Sequence, residues 1–145
     1  MRRVVLLLTV LLMGFAPAPV YKPKPEGRTA IERLQGEWSR LSMSINGGPL
    51  SDSGGVTLTV KGNLMGFGSA DDEWKVTIDA AKAPARIDFH RVKLSGNIDV
   101  LLGIYRLEAD KLTICWCLSK EEGERPTNFD PKKSNWLHVY SRKKS

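Results

Sequence analysis

Several groups of side chains in this sequence carry atoms that could do chemistry, and their spacing limits what each can do. Cys115 and Cys117 flank Trp116 in Ile114-Cys115-Trp116-Cys117 and are the only cysteines. In an extended strand, residues two apart point to the same side. A bridge between them would strain the disulfide torsion and close almost no loop, so they are expected to be two thiols packed as small hydrophobes. A metal centre would need a second cluster of ligands. His90 and His138 are the only imidazoles and no Cys-x-x-Cys pair accompanies them, so no metal is expected. His90 alternates with Phe89 and should face outward beside Asp88 and Arg86, a poor place for a general base. His138 sits in the last apolar run, where the pattern leaves its face open. Asp71-Asp72-Glu73 and Glu121, Glu122 and Glu124 lack the ligand spacing of a calcium loop. No Gly-x-Ser-x-Gly elbow, phosphate loop or His-Glu-x-x-His occurs. The chain is therefore read as non-enzymatic, with no catalytic residue, metal or cofactor.

The elements around these groups read as mostly strands. Thr29 can cap a short helix through Ala30-Ile31-Glu32-Arg33-Leu34-Gln35, with Glu32 completing a capping box, and Gly36 ends it. After Gly36 come short runs separated by turn residues, the pattern of an antiparallel sandwich or barrel. Leu41, Met43 and Ile45 alternate with serines up to Asn46-Gly47-Gly48-Pro49, and Val56, Leu58 and Val60 alternate with threonines. Further runs are centred on Met65 and Phe67, on Trp74, Val76 and Ile78, and on Ile87 and Phe89. The run from Ile98 to Leu107 is apolar on both faces and should be covered on both. Runs at Leu112–Leu118 and Trp136–Arg142 bring the count to eight, a number that closes a barrel and removes exposed edges. The expected fold class is all-β, an eight-stranded antiparallel barrel with a short N-terminal helix; an open sandwich is the alternative.

Outside the barrel the sequence suggests export. Arg2 and Arg3 precede an apolar run from Val4 to Phe15 that ends in Ala16-Pro17-Ala18, the layout of a secretory signal. The run is shorter than the roughly 20 apolar residues a membrane-spanning helix needs. Residues 1–18 are read as the signal, 19–28 as a Pro/Lys-rich linker (Lys22-Pro23-Lys24-Pro25) and 29–145 as the barrel domain, located in the periplasm, envelope or medium. The net charge of +6 is scattered rather than tracked along one face, which argues against a nucleic-acid partner.

Gly36-Glu37-Trp38, following the helix and opening the first strand, resembles the Gly-x-Trp signature of lipocalins. That resemblance implies that Trp38 closes the barrel base and that a basic residue of the last strand, here Arg142, packs across its ring as a cation–π contact. Further segments resemble, in the same order, a lipocalin-like family of unknown function abundant in planctomycete bacteria. They are Leu34-Gln35-Gly36-Glu37-Trp38, Ile45-Asn46-Gly47-Gly48-Pro49-Leu50, Leu102-Gly103-Ile104-Tyr105-Arg106-Leu107, Asp110-Lys111-Leu112-Thr113-Ile114-Cys115 and Glu124-Arg125-Pro126-Thr127-Asn128-Phe129. The resemblance implies the fold and an exported setting, and no activity.

Two regions remain as binding candidates. The loop Lys120–Lys133 is long for a compact domain, and such loops are often functional; Arg125 and Phe129 are its candidates. The favoured reading of that loop is a plug over one barrel end, with Phe129 packed inward and Arg125 bonded to loop carbonyls. The other region is the interior. Alternation taken at face value puts Leu41, Val100, Leu102 and Ile104 on the inner wall together with the bulky residues named above. A pocket for a small apolar ligand would then be lined by Trp74, Phe89 and Trp116, with Tyr105 at the rim. An equal contender is a barrel filled by its own side chains, serving as a module that meets an envelope protein partner.

Overall fold

A computed structural model describes residues 29–50, 55–68, 72–91, 100–117, 124–130 and 135–144. Residues 1–18 and 19–28, read above as a signal and a linker, lie outside the described residues. Helix α1 (Ala30–Leu34) begins at Thr29, whose side chain accepts from the Glu32 N–H while the Glu32 carboxylate accepts from the Thr29 N–H at 2.7 Å. Both bonds satisfy backbone donors that a helix start leaves open. The strands are β1 (Gly36–Ile45), β2 (Gly48–Leu50), β3 (Thr57–Lys61), β4 (Leu64–Gly66), β5 (Glu73–Asp79), β6 (Ala85–Arg91), β7 (Val100–Glu108), β8 (Lys111–Cys117) and β9 (Asn135–Arg142). Each pairs antiparallel with its neighbour, and β9 returns to pair with β1. β2 is a short hairpin arm on the far half of β1. The rest form a closed eight-stranded barrel, as the turn spacing suggested.

One end of the barrel is sealed. Leu34 and Trp38 are fully buried there, and the Trp38 indole N–H donates to the Leu34 carbonyl at 2.9 Å. The Arg142 guanidinium lies 4.0 Å from the centroid of the Trp38 ring and donates to the Gln35 and Arg33 carbonyls, both at 2.7 Å. It therefore joins the end of the last strand to the open carbonyls at the end of α1. The Gln35 amide completes the seal, exchanging two hydrogen bonds of 2.8 and 2.9 Å with Gly62 in the β3–β4 turn. Gly36, at φ +110°, makes the step from helix to strand in a backbone region that a side chain would strain. Above this seal Leu58, Val60, Met65, Ile87, Leu112, Ile114 and Tyr140 pack with at most 1 % exposure. Burying each large apolar side chain contributes about 1.5–3 kcal/mol.

Two features correct the alternation. β1 carries a bulge against β9, with Arg40 opposite Tyr140 but Ser42 opposite Val139. Leu41 is the extra residue; it turns outward and is 57 % exposed, and the inward phase resumes at Met43. In β7 the inward residues are Leu101, Gly103 and Tyr105, not Val100, Leu102 and Ile104, as their pairing with inward Phe89, Ile87 and Ala85 shows. Both faces of this strand are apolar, so hydrophobicity could not set its phase. Leu102 and Ile104 are nonetheless buried, on the outer wall beside Cys115 and Cys117. The segment 124–130 lies over this outer wall, with Arg125 and Pro126 buried. This second cover is the one the doubly apolar run requires.

Arg125 fixes that cover. Its guanidinium forms a two-branched ion pair with Asp88 of β6, Nη2 to Oδ2 at 3.1 Å, and Nη1 donates to the Gly103 carbonyl at 2.8 Å. The expected plug over a barrel end is therefore corrected: the described segment 124–130 straps the side of the barrel, where Arg125 bonds to β6 and β7. Phe129 does not pack inward either. Its ring sits under the outward-facing Arg106 guanidinium, 4.9 Å from ring centroid to Cζ. The Cys117 thiol donates to the Glu124 carbonyl at 3.1 Å, and both cysteines are free and buried beneath the strap.

Candidate functional site

Among the described residues, the half of the barrel opposite Trp38 is not filled. Here β1, β4, β6 and β8 end and β3, β5, β7 and β9 begin, and a cavity of about 360 Å³ opens between them. Among the described residues its mouth is mostly aromatic, with the Asp72 carboxylate beside it. Trp74 from the start of β5, Trp116 from the end of β8, Trp136 from the start of β9 and Phe67 beyond β4 surround it, with Val56 and Leu101 between. Trp116 and Trp136 face each other across the β8–β9 pair with centroids 5.0 Å apart and planes at 8°, a stacked pair. Trp74 is held at an edge and on a face, its indole N–H donating to Asp72 Oδ1 at 2.8 Å and the Arg91 guanidinium lying over its ring, 5.2 Å from the centroid. These contacts fix aromatic walls before any ligand arrives.

Polar groups lie deeper. Along β9 the inward side chains are Trp136, His138, Tyr140 and Arg142, opposite Ile45, Met43, Arg40 and Trp38 of β1. Each step leads from the mouth towards the sealed end. His138 and Arg40 line the cavity below the tryptophans. His138 Nδ1 is 3.0 Å from the fully buried Tyr140 hydroxyl, and an Arg40 N–H points to Met43 Sδ at 3.7 Å. Among the described residues no group of three or more His, Cys, Asp or Glu is placed to hold a metal ion.

Of the pocket residues expected from sequence, Trp74 and Trp116 line the cavity. Phe89 does not. It is fully buried in the packed core, with Phe67 above it at a centroid distance of 5.9 Å. Tyr105 is not at the rim. It pairs with Ala85 and Ile114 in the sealed half, where burial pushes its phenol above the ordinary value against the lowering effect of the Arg33 charge. The reason is again the phase and height of β7. Met43, expected on the inner wall, lines the cavity, and Arg40, Trp136 and His138 are lining residues that the sequence reading missed. A signal for the β9 set was present: if Arg142 must face Trp38, period-two alternation turns Tyr140, His138 and Trp136 inward as well. Arg40 carried no such signal, because a charged residue before a bulge reads as solvent-facing.

A second depression, about 440 Å³, lies on the outer wall between Lys82, Pro84, Arg86 and the Arg125–Thr127 strap. Its cationic character is reduced by the Arg125–Asp88 pair. Comparison with protein-family models, curated proteins and solved structures finds no match to this chain. The functional reading therefore rests on the cavity.

Proposed function

We propose that this chain is a non-enzymatic, exported barrel protein that takes one small, largely apolar ligand into its open half. The observation that carries the proposal is the cavity of about 360 Å³ with three tryptophans around its mouth. Small-molecule pockets span about 300–1,000 Å³ and combine apolar walls with a few placed polar groups, which describes this one. At about 30 Å³ for each water-sized group, the cavity holds roughly a dozen non-hydrogen atoms. The Gly36-Glu37-Trp38 segment and the ordered motifs that resemble a lipocalin-like family support the same reading, and the Arg2-Arg3 start with its apolar run supports the envelope setting.

Native mass spectrometry of the freshly purified protein, with tryptophan-fluorescence titration against a panel of small apolar probes, tests it. Three of the four tryptophans line the cavity, so an occupant should change most of the emission. A retained ligand or saturable quenching is expected. Absence of both across the panel would remove the reading.

A second reading, a module that binds an envelope protein, is favoured by the outer depression beside the Arg125 strap. Crosslinking from Lys82 in the envelope fraction should then capture one reproducible partner, and its absence would set this reading aside.

A further inference from the structure

We infer that the occupant of the open half is a flat aromatic molecule the size of about two fused rings, stacked on the Trp116–Trp136 pair. The inference rests on the ligand-binding reading and adds the ligand's chemical class and its place in the cavity. It follows from the shape of the walls. An alkyl chain is served by leucine, isoleucine and valine, whose branched side chains wrap a round cross-section. Among the described lining residues the walls are instead Phe67, Trp74, Trp116 and Trp136, with Val56 and Leu101 between them. The polar lining side chains Arg40 and His138 also end in planar groups, and a guanidinium plane stacks on aromatic rings as a ring does.

Trp116 and Trp136 form the start of a stack. Their planes differ by 8° with centroids 5.0 Å apart, and the His138 ring continues the row at 5.6 Å from Trp116 and 6.2 Å from Trp136. Because these rings hold one another, little side-chain freedom is left to lose when a ligand arrives. Trp136 lies on one side of Trp116. On the other side the residue in register is Gly103 of β7, which has no side chain to lay against the second face of the indole. A planar ligand there meets the ring over its whole area, with the offset that paired rings prefer. A saturated ring is thicker and touches with fewer atoms, and a gap of about 0.5–1 Å forfeits about a quarter to a half of each contact. A cage for a quaternary ammonium also uses aromatic faces. Here, however, the Arg91 guanidinium lies over the Trp74 ring and Arg40 is among the lining side chains, so a cationic ligand would meet like charges beside the Asp72 carboxylate. The cavity of about 360 Å³ takes roughly a dozen non-hydrogen atoms, enough for a two-ring skeleton with a small substituent.

The test measures binding of 2-naphthol, decahydro-2-naphthol and tetraethylammonium to the full chain at neutral pH by calorimetry, in the wild type and in Trp116→Leu. The first two share a carbon skeleton and a hydroxyl group and differ in flatness and π-electrons. 2-Naphthol should bind the wild type at least about fivefold more tightly than its saturated counterpart, the ratio that about 1 kcal/mol of ring contact gives. Its proton resonances should also move upfield under the indole ring currents. In Trp116→Leu the ratio should fall below about twofold. A smaller ratio in the wild type, a larger one in Trp116→Leu, unmoved resonances or tighter binding of tetraethylammonium would overturn the inference while leaving the cavity a binding site. No binding of these three or of the apolar probe panel would overturn both. The wild-type comparison needs no variant to fold.

Discussion

Gly103 occupies a point on β7 where the neighbouring strands β6 and β8 approach closely. A Cβ built there would stand 3.0 Å from the Cys115 carbonyl oxygen, 3.1 Å from that of Ile87 and 3.1 Å from Trp116 Cβ. Two of these atoms are backbone and cannot turn away. Gly103→Ala should therefore cost about 2–3 kcal/mol through overpacking, read as a lowered midpoint in urea unfolding with an unchanged slope. Cys115 gives a prediction with a pH sign. Burial, helped by the nearby Cys117 thiol and the Asp130 charge, pushes its thiol up to about 11 from an ordinary 9.0. The folded state then holds a proton that the unfolded chain releases above pH 9. Its contribution to stability is complete below pH 9 and is lost as pH rises towards 11. Urea unfolding across that window should show stability falling, and a thiol reagent at pH 8 should leave both cysteines unmodified until the protein is unfolded. Rapid labelling of the native protein would contradict the covered outer wall.

At the scale of elements, two short segments are held on the barrel by arginines. α1 is too short to persist alone and stays because Arg142 and Gln35 bind it to the ends of β9 and β3. Arg142→Lys keeps the charge but cannot reach the Gln35 and Arg33 carbonyls together. A loss of about 1–2 kcal/mol is expected, with faster amide exchange confined to α1 and the β3–β4 turn. The 124–130 strap depends on Arg125, whose side chain is 8 % exposed while that of its partner Asp88 is 27 % exposed. Asp88→Ala leaves that cation buried and should cost about 2–4 kcal/mol. Removing both charges, in Asp88→Ala with Arg125→Met, should cost less than Asp88→Ala alone. A double-mutant cycle by chemical denaturation checks the order, and equal costs would mean that the pair does not hold the strap.

Across the whole molecule, the barrel divides into a packed half that supplies stability and an open half that contributes little to it. Trp38, Leu34, Tyr140 and their neighbours fill the first, and at the mouth of the second Trp116 stacks on Trp136 beside the cavity that Trp74 also lines. Stability and binding can therefore be changed separately. Leu101→Trp should narrow the cavity and weaken binding of the small apolar probes at least about tenfold, with a stability cost of no more than about 1–3 kcal/mol. Saturating ligand should raise the wild-type melting temperature, with about 2.7 kcal/mol of stabilisation at a hundredfold excess over Kd. A variant that keeps the ligand-induced shift would place the binding site elsewhere.

By itself the sequence determined the class of the molecule: strands from period-two alternation, turns from glycine, asparagine and proline, a capped helix from Thr29 and Glu32, and closure from strands each joined to the next. These are local properties, governed by neighbours a few residues away. It also placed Trp38 and Arg142 at positions where they meet. What it left open was the direction in which particular side chains point, because that depends on contacts between distant strands. The bulge at Leu41 follows from the register of β1 against β9, and the phase of β7 from its partners β6 and β8. Trp74 and Trp116 could be placed at the cavity from alternation alone, whereas Arg40, Trp136 and His138 came to it only through those registers. Whether the Gly36-Glu37-Trp38 barrel was hollow or solid could not be read from a list of bulky residues. Closure of the tertiary structure decided it, by packing one end tightly and leaving the tryptophans of the other apart from what lies beneath them.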